Sequence, residues 1–371
     1  MSESAEEIRR ARGSFRAEGL PEGSASGETE AVVDDEGLSA GGARVEWLDA
    51  DGLLDADRVL TLSLWPSGTL RLSMLGRRHE TFARALGEAR DAARVRGLLA
   101  HGLGTPQAFD GSCLLGGAAV PARLLVFATH LTAVPEGRDP LQVPLGALRE
   151  VRFEREEYRV VLETGEGAHA FGHLARRTEA FVREVERARD EQGRRLAQAA
   201  GSPAFADGLG VPAASLPDFD RLLSAFTAPE RSDFAGEVLS RAGRAGARLG
   251  LVELLDPDEE SLAARVPLPK DVAAFLLAAV GDRVVLEVLS GPSAATYVFR
   301  GDAAAVNRDL QSIHFRRRAL ALTETEASGE AGRPYRLALR RLEPLRRLRS
   351  ALVARVVHAA GWKEGLARAL A

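Results

Sequence analysis

The sequence predicts an α+β protein built from tandem units, each an antiparallel β-sheet closed by a C-terminal helix, with a helical segment at the end of the chain. Three observations predict this class. Residues 75–84 (LGRRHETFAR) reappear as residues 174–183 (LARRTEAFVR). Each copy follows two short runs in which apolar and polar residues alternate around a Gly-containing turn, the pattern of a β-hairpin. Each copy also places its apolar residues on one helical face, so the repeated element is a hairpin followed by an amphipathic helix.

The composition is that of a soluble globular protein of two or three domains. The chain has 371 residues, of which 45% are hydrophobic and 27% charged, so several cores can form. The single cysteine, Cys113, excludes a disulfide or a multi-thiolate metal site within one chain. The N-terminus lacks a secretory signal, and the longest apolar run, residues 272–280, is shorter than the ~20 residues that span a bilayer. We expect a cytoplasmic protein without an integral membrane segment, and the Arg-, Ala- and Gly-rich usage is typical of bacteria.

Residues 1–43 are predicted to be an acidic, flexible tail. Ser, Glu and Gly dominate this segment, which offers little apolar surface to offset the entropy cost of ordering the chain. From Met1 to Leu60 the chain has 15 acidic and 6 basic residues, a net charge of −9.

The first strand-and-helix unit is predicted over residues 44–104. Residues 59–74 alternate as two half-buried strands, and residues 66–68 between them form a turn signal. The following helix has Phe82 and Leu86 on its apolar face. Because few strands precede the hairpin, this unit is predicted to be a partial copy of the second one.

The second unit, predicted over residues 105–200, is more complete. Residues 109–115 and 122–134 have the pattern of strands, and part of the latter is continuously apolar, as in a strand buried on both faces. Residues 158–173 form the repeated hairpin, and residues 175–199 form the repeated helix.

Residues 201–216, rich in Gly, Ala and Pro, are predicted to link to a third α+β unit at residues 217–332. Two helices broken at Pro229 come first, and Asp302 is the predicted N-cap of a later helix. The predicted strands between them are residues 248–255, 272–280, 283–289 and 295–300. Because a hairpin, a turn and a helix follow one another again, this unit is a possible third copy.

Residues 333–371 are predicted to be a basic helical segment. Its main helix is expected from Glu343 to about Ala360, because Pro344 suits the first helical turn. The segment has 10 basic and 2 acidic residues, a net charge of +8. Its charge is opposite to that of the N-terminal region, which indicates either intramolecular attraction or a surface for an anionic partner.

The succession of paired strands closed by one amphipathic helix resembles the pleckstrin-homology-like superfold, including its GRAM-type members. The residues that carry the resemblance are 124–132, 143–151, 158–162 and the helix from Arg176. The resemblance covers the second unit well, the first in part and the third in outline. Tandem domains of this kind generally bind proteins, peptides, membrane headgroups or basic chromatin proteins, and they are seldom enzymes.

The resemblance implies a non-catalytic binding or scaffold protein with a protein partner, no catalytic residues and no cofactor. Two alternatives stay open: a nucleic-acid-associated protein that uses its Arg-rich C-terminal helix, and an enzyme with an unrecognised site. No P-loop, nucleophile elbow or His-Glu-x-x-His run is present. His169 and His173 fall in a predicted strand, where this spacing does not form the metal-binding pair of a helix, so no metal site is predicted. The sequence leaves the oligomeric state open.

Two pairs of arginines are candidate anion- or partner-binding residues: Arg77 with Arg78, and Arg176 with Arg177. Each pair lies where a hairpin meets its helix, a junction expected to be exposed. A cation at a helix N-terminus lies at the unfavourable end of the helix dipole, which favours an anion nearby. The alternative is a structural role, in which these arginines shield the helix start at positions inherited by duplication.

The C-terminal segment supplies four further candidates: Arg340, Arg341, Arg346 and Arg347. In a nucleic-acid complex such a basic face would contact phosphates. Aromatic stacking partners are nearly absent, since only Trp362 is nearby in sequence. The alternatives are a solvated face, or a face docked on the acidic N-terminal part. A protein partner is therefore favoured over a nucleic acid.

Overall fold

The computed structural model describes residues 5–20, 23–100, 103–136, 138–165, 167–253, 266–269, 271–290 and 295–371. The chain forms two compact units. The first is Met1–His101 with Ala327–Arg341, and the second is Gly102–Glu326 with Leu342–Ala371. Helices make up 40% and strands 37%, with several antiparallel sheets, one of them curled into a half-barrel, so the predicted α+β class is confirmed.

The strands and helices of the described residues have the following bounds. The strands are β1 (Arg10–Leu20), β2 (Gly23–Val33), β3 (Gly37–Ala40), β4 (Ala43–Glu46), β5 (Ala50–Ala56), β6 (Val59–Leu64), β7 (Thr69–Ser73), β8 (Gln107–Leu115), β9 (Ala118–Val126), β10 (His130–Pro135), β11 (Leu141–Pro144), β12 (Leu148–Glu154), β13 (Arg159–Thr164), β14 (Ala168–Gly172), β15 (Val211–Pro212), β16 (Ala247–Glu253), β17 (Val272–Val280), β18 (Arg283–Val288), β19 (Ala295–Arg300) and β20 (Leu352–Val357). The α-helices are α1 (Ala5–Ile8), α2 (His79–Val95), α3 (Thr178–Ala200), α4 (Phe219–Phe226), α5 (Ser232–Ala242), α6 (Ala303–Ser312), α7 (Arg317–Ala321), α8 (Glu324–Ser328), α9 (Arg336–Arg341), α10 (Glu343–Ala351) and α11 (Trp362–Leu370).

The segment predicted to be a flexible tail, residues 1–43, contains β1, β2 and β3, so that prediction is wrong. Along β1 the side chains of Ala11, Phe15 and Ala17 are buried, and charged residues between them are exposed. β1 pairs with β2 on one side and with β7 on the other, which satisfies its backbone groups. Alanines are sufficient to fill this face, although they add little to the apolar content of the segment. The first strand-and-helix unit, predicted over residues 44–104 as a partial copy of the second, is therefore a complete copy that begins earlier in the chain.

The first two sheets have the same strand order. The first sheet runs β4-β3-β2-β1-β7-β6-β5, and the second runs β11-β10-β9-β8-β14-β13-β12. In both, the last hairpin is followed directly by the repeated helix, α2 or α3. The predicted duplication of a hairpin and a helix is confirmed, and it extends over seven strands in each copy.

Equivalent connections in the two copies also share their hydrogen bonds. Between β2 and β3, the N–H of Asp34 donates to the carbonyl of Gly37 at 2.9 Å. At the corresponding place between β9 and β10, the N–H of Phe127 donates to the carbonyl of His130 at 2.8 Å. The duplication is thus preserved in backbone geometry where few of the side chains agree.

The repeated helices pack on their sheets through the predicted faces. Phe82 and Leu86 of α2 are fully buried in the core of the first unit. Phe181 and Val185 of α3 occupy the corresponding places in the second core. Cys113 lies in the same core as Phe181, and burial raises the pKa of its thiol to about 12. The chain therefore uses this cysteine as a small apolar side chain.

The third sheet contains the four predicted strands as β16, β17, β18 and β19, although residues 254–255 of the first lie outside the described residues. It also contains β15, so the prediction of a linker over residues 201–216 is wrong for Val211 and Pro212. The topology of this sheet differs from that of the first two. Its order is β15-β16-β17-β18-β19-β20, a simple succession without the rearrangement of the seven-stranded sheets. The helix after β19 begins as predicted, with the carboxylate of Asp302 accepting from the N–H of Ala305 at 2.8 Å. Hairpin and helix do follow one another here, but the sheet around them is not a third copy of the duplicated one.

The basic C-terminal segment, predicted over residues 333–371 as mainly helical, is interrupted by a strand. Its central helix, α10, ends at Ala351, and the chain continues as β20, which pairs with β19. The prediction of a helix to about Ala360 is therefore wrong. Val353, Val356 and Val357 are β-branched and favour a strand when a partner strand is available, and here β19 provides it.

Candidate functional site

The second arginine of each predicted pair has a structural contact. Arg78 donates to the carbonyls of Glu7 at 3.2 Å and Arg10 at 3.1 Å, beside the start of β1. Arg177 donates to the carbonyl of Ala108 at 2.8 Å in β8, the equivalent strand, and lies over the ring of Phe109 at 4.4 Å. Both arginines therefore tie the start of the repeated helix to the first strand of its own unit.

The first arginine of each pair remains available. Arg77 and Arg176 are exposed, and within the described part of the chain neither makes a hydrogen bond or an ion pair. The predicted anion site at the helix start is thus reduced from a pair to one arginine in each unit.

We expect Arg177→Ala to lower the free energy of unfolding by about 1 kcal/mol, because it removes a hydrogen bond and a cation–π contact at the protein surface. Arg176→Ala, the matched control at the next position, is expected to change it by less than about 0.5 kcal/mol. Urea unfolding of both variants measures the difference. Equal effects would contradict the structural role of Arg177.

Arg340 and Arg341 converge on one carboxylate of the first unit. Asp51 accepts from Arg340 at 2.8 Å and lies 3.2 Å from Arg341. Its carbonyl oxygen accepts from Arg90 at 2.9 Å and from Arg94 at 3.1 Å. Burial, followed by the charge of Arg90, lowers the pKa of Arg94 to about 10. Asp51 is therefore the centre of a four-arginine cluster, and Arg340 and Arg341 are part of the packing of the first unit.

Two more arginines of the same segment pair with the same acidic stretch. Arg333 lies 2.6 Å from Glu46, and Arg336 lies 3.0 Å from Asp49. Burial raises the pKa of Asp49, although Arg336 beside it acts in the opposite direction. In the structure, the basic segment therefore packs against the acidic N-terminal part, which is one of the alternatives that the charge asymmetry indicated.

The remaining two candidate arginines lie on α10 and also have acidic partners. Arg346 lies 3.2 Å from Asp139. Arg347 donates to both oxygens of Asp309, with its Nε at 3.0 Å, and pairs with Glu343 at 2.8 Å. The hydrogen bonds to Asp309 raise the pKa of Arg347. The carboxylates thus occupy the hydrogen-bonding positions that phosphates would need.

A groove of about 560 Å³ lies in the second compact unit, between α11 and β20. β20 is the last strand of the third sheet, and among the described residues no strand pairs with its outer edge. Its lining residues are Val353, Ala354, Arg355, Val356, Val357, Ala359, Ala360, Gly361, Trp362, Gly365, Arg368 and Ala369. Arg355 and Arg368 are exposed and make no ion pair among the described residues. The sequence reasoning missed this site because it placed the segment in a helix, although its run of β-branched residues was a signal for a strand.

A buried hydrogen-bond network holds the end of β20 and the start of α11. The hydroxyl of Thr296 donates to the carboxylate of Glu287 at 2.6 Å, and the indole N–H of Trp362 donates to that hydroxyl at 3.0 Å. His358 Nε2 lies 3.2 Å from the carboxylate and 3.1 Å from the hydroxyl. Because the proton of Thr296 is already donated, Nε2 must be the donor. Phe234 stacks on His358 with ring centroids 3.8 Å apart. These contacts hold in place the residues beside the groove.

A second buried polar cluster surrounds a cavity of about 10 Å³ in the second unit, room for one water molecule. His130 Nε2 lies 2.7 Å from the carbonyl of Gln311 and therefore donates, and Nδ1 lies 2.8 Å from the hydroxyl of Thr129, which donates to it. Burial lowers the pKa of His130 to about 4. Burial also raises the pKa of Glu253, which lines the same cavity, to about 7. Between these values burial favours the uncharged form of both groups, although Arg195, 3.4 Å from Glu253, lowers the pKa of that carboxyl.

We expect the free energy of unfolding of the wild-type protein to contain a contribution from Glu253 that falls as pH rises from about 4.5 to about 7. In this range the folded state holds the proton of Glu253 and the unfolded state does not, so raising the pH favours unfolding. His130 acts with the opposite sign between about pH 4 and 6.5, a range that overlaps this one and masks the effect in the wild-type protein alone. The measurement therefore compares urea unfolding of Glu253→Gln and wild type over a pH series. Their difference should change with pH in that window, and parallel curves would contradict the prediction.

Two further observations concern metals and membranes. Among the described residues, no group of three or more His, Cys, Asp and Glu side chains could hold a metal ion. None of the helices in the described part of the chain combines the length and apolar character needed to cross a bilayer.

Comparison with known proteins gives no assignment: no protein-family model matches the chain, and no curated protein matches it.

Proposed function

We propose that the protein is a non-catalytic binding or scaffold protein whose two seven-stranded units are of the pleckstrin-homology-like type and engage a protein partner. The observation that carries the proposal is the shared strand order. In each unit the first four strands are neighbours in chain order, and so are the last three. The two groups form one sheet because the first strand of the unit pairs with its seventh. One amphipathic helix follows and packs in the core. Duplication of a whole unit of this kind favours a binding role over a single catalytic centre.

The charges on the first strands favour a protein partner over an anionic headgroup. In the second unit the one basic residue of β8 and β9 is Arg123, which lies directly across the strand pair from Asp110. In the first unit Arg10 of β1 pairs with Glu30 of β2 at 3.7 Å, and Arg16 pairs with Glu18. This leaves Arg12 as the one arginine of β1 and β2 without an ion pair among the described residues. A headgroup site in this superfold would need clustered unpaired cations between these strands.

The ion pairs of the C-terminal segment weigh against nucleic acid. Arg340, Arg341, Arg346 and Arg347 all lie beside carboxylates of the chain itself. Phosphate binding would have to displace these carboxylates, whereas each intramolecular pair is already formed without the entropy cost of association. A protein partner therefore remains the better supported proposal.

Photo-crosslinking tests this proposal directly, because the chain has only two lysines, Lys270 and Lys363, and amine-reactive reagents would sample it poorly. The photoreactive residue p-benzoylphenylalanine would replace Leu54, Met74 or Tyr158, which are 61%, 77% and 55% exposed. These positions sample both seven-stranded units. Each variant would be irradiated in cells and purified at high salt after nuclease treatment.

We expect a discrete protein adduct from at least one of these three positions that survives salt and nuclease. The adduct should be missing when the same residue is replaced by phenylalanine. Recovery of nucleic acid alone, or no protein adduct at any of the three positions, would overturn the proposal.

A further inference from the structure

The two edges of the third sheet are protected very differently. β15, at one edge, has two residues and ends in Pro212, which cannot donate a hydrogen bond to another strand. β20, at the other edge, has six residues, no proline and a single charged residue, Arg355. Edge strands are usually kept short or are interrupted by charge or proline, because their free N–H and C=O groups can pair with another strand. β20 lacks those protections.

The long outer strands of the first two sheets show the contrast again. β12 has four charged residues among seven, and β5 has two aspartates. Such charges discourage the addition of an apolar strand. Among the edges described here, β20 is the one with both the length and the low charge for strand addition.

We propose that the free edge of β20 and the groove beside α11 bind an extended segment of a protein partner in which apolar and acidic residues alternate. The segment would add to the third sheet as a seventh strand. This proposal goes beyond the function proposed for the seven-stranded units and does not depend on it, because it concerns a different sheet.

The groove accounts for the apolar residues of the proposed segment. Ala354 and Val356 of β20 pack against the same core as Trp362, Leu366 and Ala369 of α11. An added strand alternates its side chains between the two faces of the sheet, so every second residue would lie beside α11. Apart from Arg368, the side chains that line the groove there are small or apolar, which favours apolar side chains at those positions.

Arg355 accounts for the acidic residues of the proposed segment. On β20, Arg355 alternates with the residues that pack under α11, so the acidic residues of the added strand would share its face. Arg368 lies on α11, on the other face of the sheet, where it adds positive charge at the rim of the groove. A second copy of β20 is a poorer occupant, since it offers Arg355 no acidic residue and adds a second arginine to the same edge.

The groove is also formed in advance. A Cβ on Gly365 would lie 2.9 Å from Val356 Cγ1, so the glycine lets α11 approach β20 closely. Glu287 and the network around it fix the ends of both elements. A preformed site lowers the ordering cost of binding an extended peptide.

The test uses the full chain and three fluorescein-labelled peptides, followed by fluorescence anisotropy. The first peptide is Val-Glu-Val-Glu-Val-Glu-Val, the second replaces Glu with Lys, and the third replaces the central Glu of the first with Pro. The protein variants are Arg355→Glu/Arg368→Glu and the matched control Arg183→Glu/Arg318→Glu, which reverses two other exposed arginines without ion pairs in the described residues. Hydrogen exchange of the β20 amides is measured with and without the first peptide.

We expect saturable binding of the Val-Glu peptide to the wild-type chain, with Arg355→Glu/Arg368→Glu weakening it by about tenfold or more. The control variant should stay within about twofold, and the Lys and Pro peptides should bind much more weakly than the first. Amides of β20 should exchange more slowly when the first peptide is bound.

Four results would overturn the proposal: no binding to wild type, equal binding to the charge-reversed variant, equal binding of the Lys peptide, or no protection of β20. None of these results bears on the crosslinks expected from Leu54, Met74 or Tyr158. A crosslinked partner with a failed peptide test would therefore leave the function of the seven-stranded units standing, and the reverse outcome would leave only the β20 site.

Discussion

Glu287→Ala is expected to lower the free energy of unfolding of the second compact unit by about 3–5 kcal/mol, because each buried hydrogen-bond donor left without its acceptor costs about 1–3 kcal/mol. Glu287 is fully buried, and its carboxylate accepts from Thr296 and His358. Alanine would leave both partners without their acceptor and would open a cavity under α11. Native-state hydrogen exchange would measure the loss, which should be largest in β20 and α11.

Glu287→Gln is the matched control, because its amide oxygen can still accept from Thr296 and His358. We expect this variant to lose about 1–2 kcal/mol. If Ala and Gln variants had the same stability, the hydrogen bonds to Glu287 would not be what holds this end of the sheet.

Phe181→Ala is expected to lower the free energy of unfolding by about 3–5 kcal/mol as well, through loss of apolar burial and a cavity in the second core. Phe181 is fully buried, and its ring makes edge contacts with Phe109 at 5.2 Å and Phe171 at 6.0 Å between centroids. Such aromatic pairs add to the burial energy. Urea unfolding and hydrogen exchange of β8 and β14 would measure the effect.

Arg183→Ala, two residues further along the same helix, is the control. Its side chain is exposed, so we expect a change within about 0.5 kcal/mol. A similar loss in both variants would mean that the helix and not its aromatic contact limits stability.

The repeated helices were predictable because local pattern and tertiary packing agree there. Phe82 and Phe181 recur at equivalent positions, and both are fully buried where helical periodicity predicts. The first strands were not predictable in the same way. Ala11 and Ala17 are buried in β1, but alanine is a weak strand former, and only pairing with β2 and β7 makes the strand stable.

The candidate site was predictable in part for a similar reason. Sequence alone identified the arginine pairs, but it could not separate Arg78 and Arg177, which bind backbone carbonyls, from Arg77 and Arg176, which do not. That distinction depends on where the first strand of each unit begins in space. β20 was missed because its helical and strand patterns compete, and a long-range partner strand decides between them.

The first unit is discontinuous along the chain, and this has a consequence for synthesis. Its last segment, Ala327–Arg341, leaves the ribosome only after residues 102–326 have been made. Until then Glu46, Asp49 and Asp51 lack their partners from that segment. Until then the nascent first unit therefore exposes these acidic side chains. Its folding cannot be completed in the order in which the chain emerges. A nascent chain stalled before Arg333 would hold that unfinished state for direct observation.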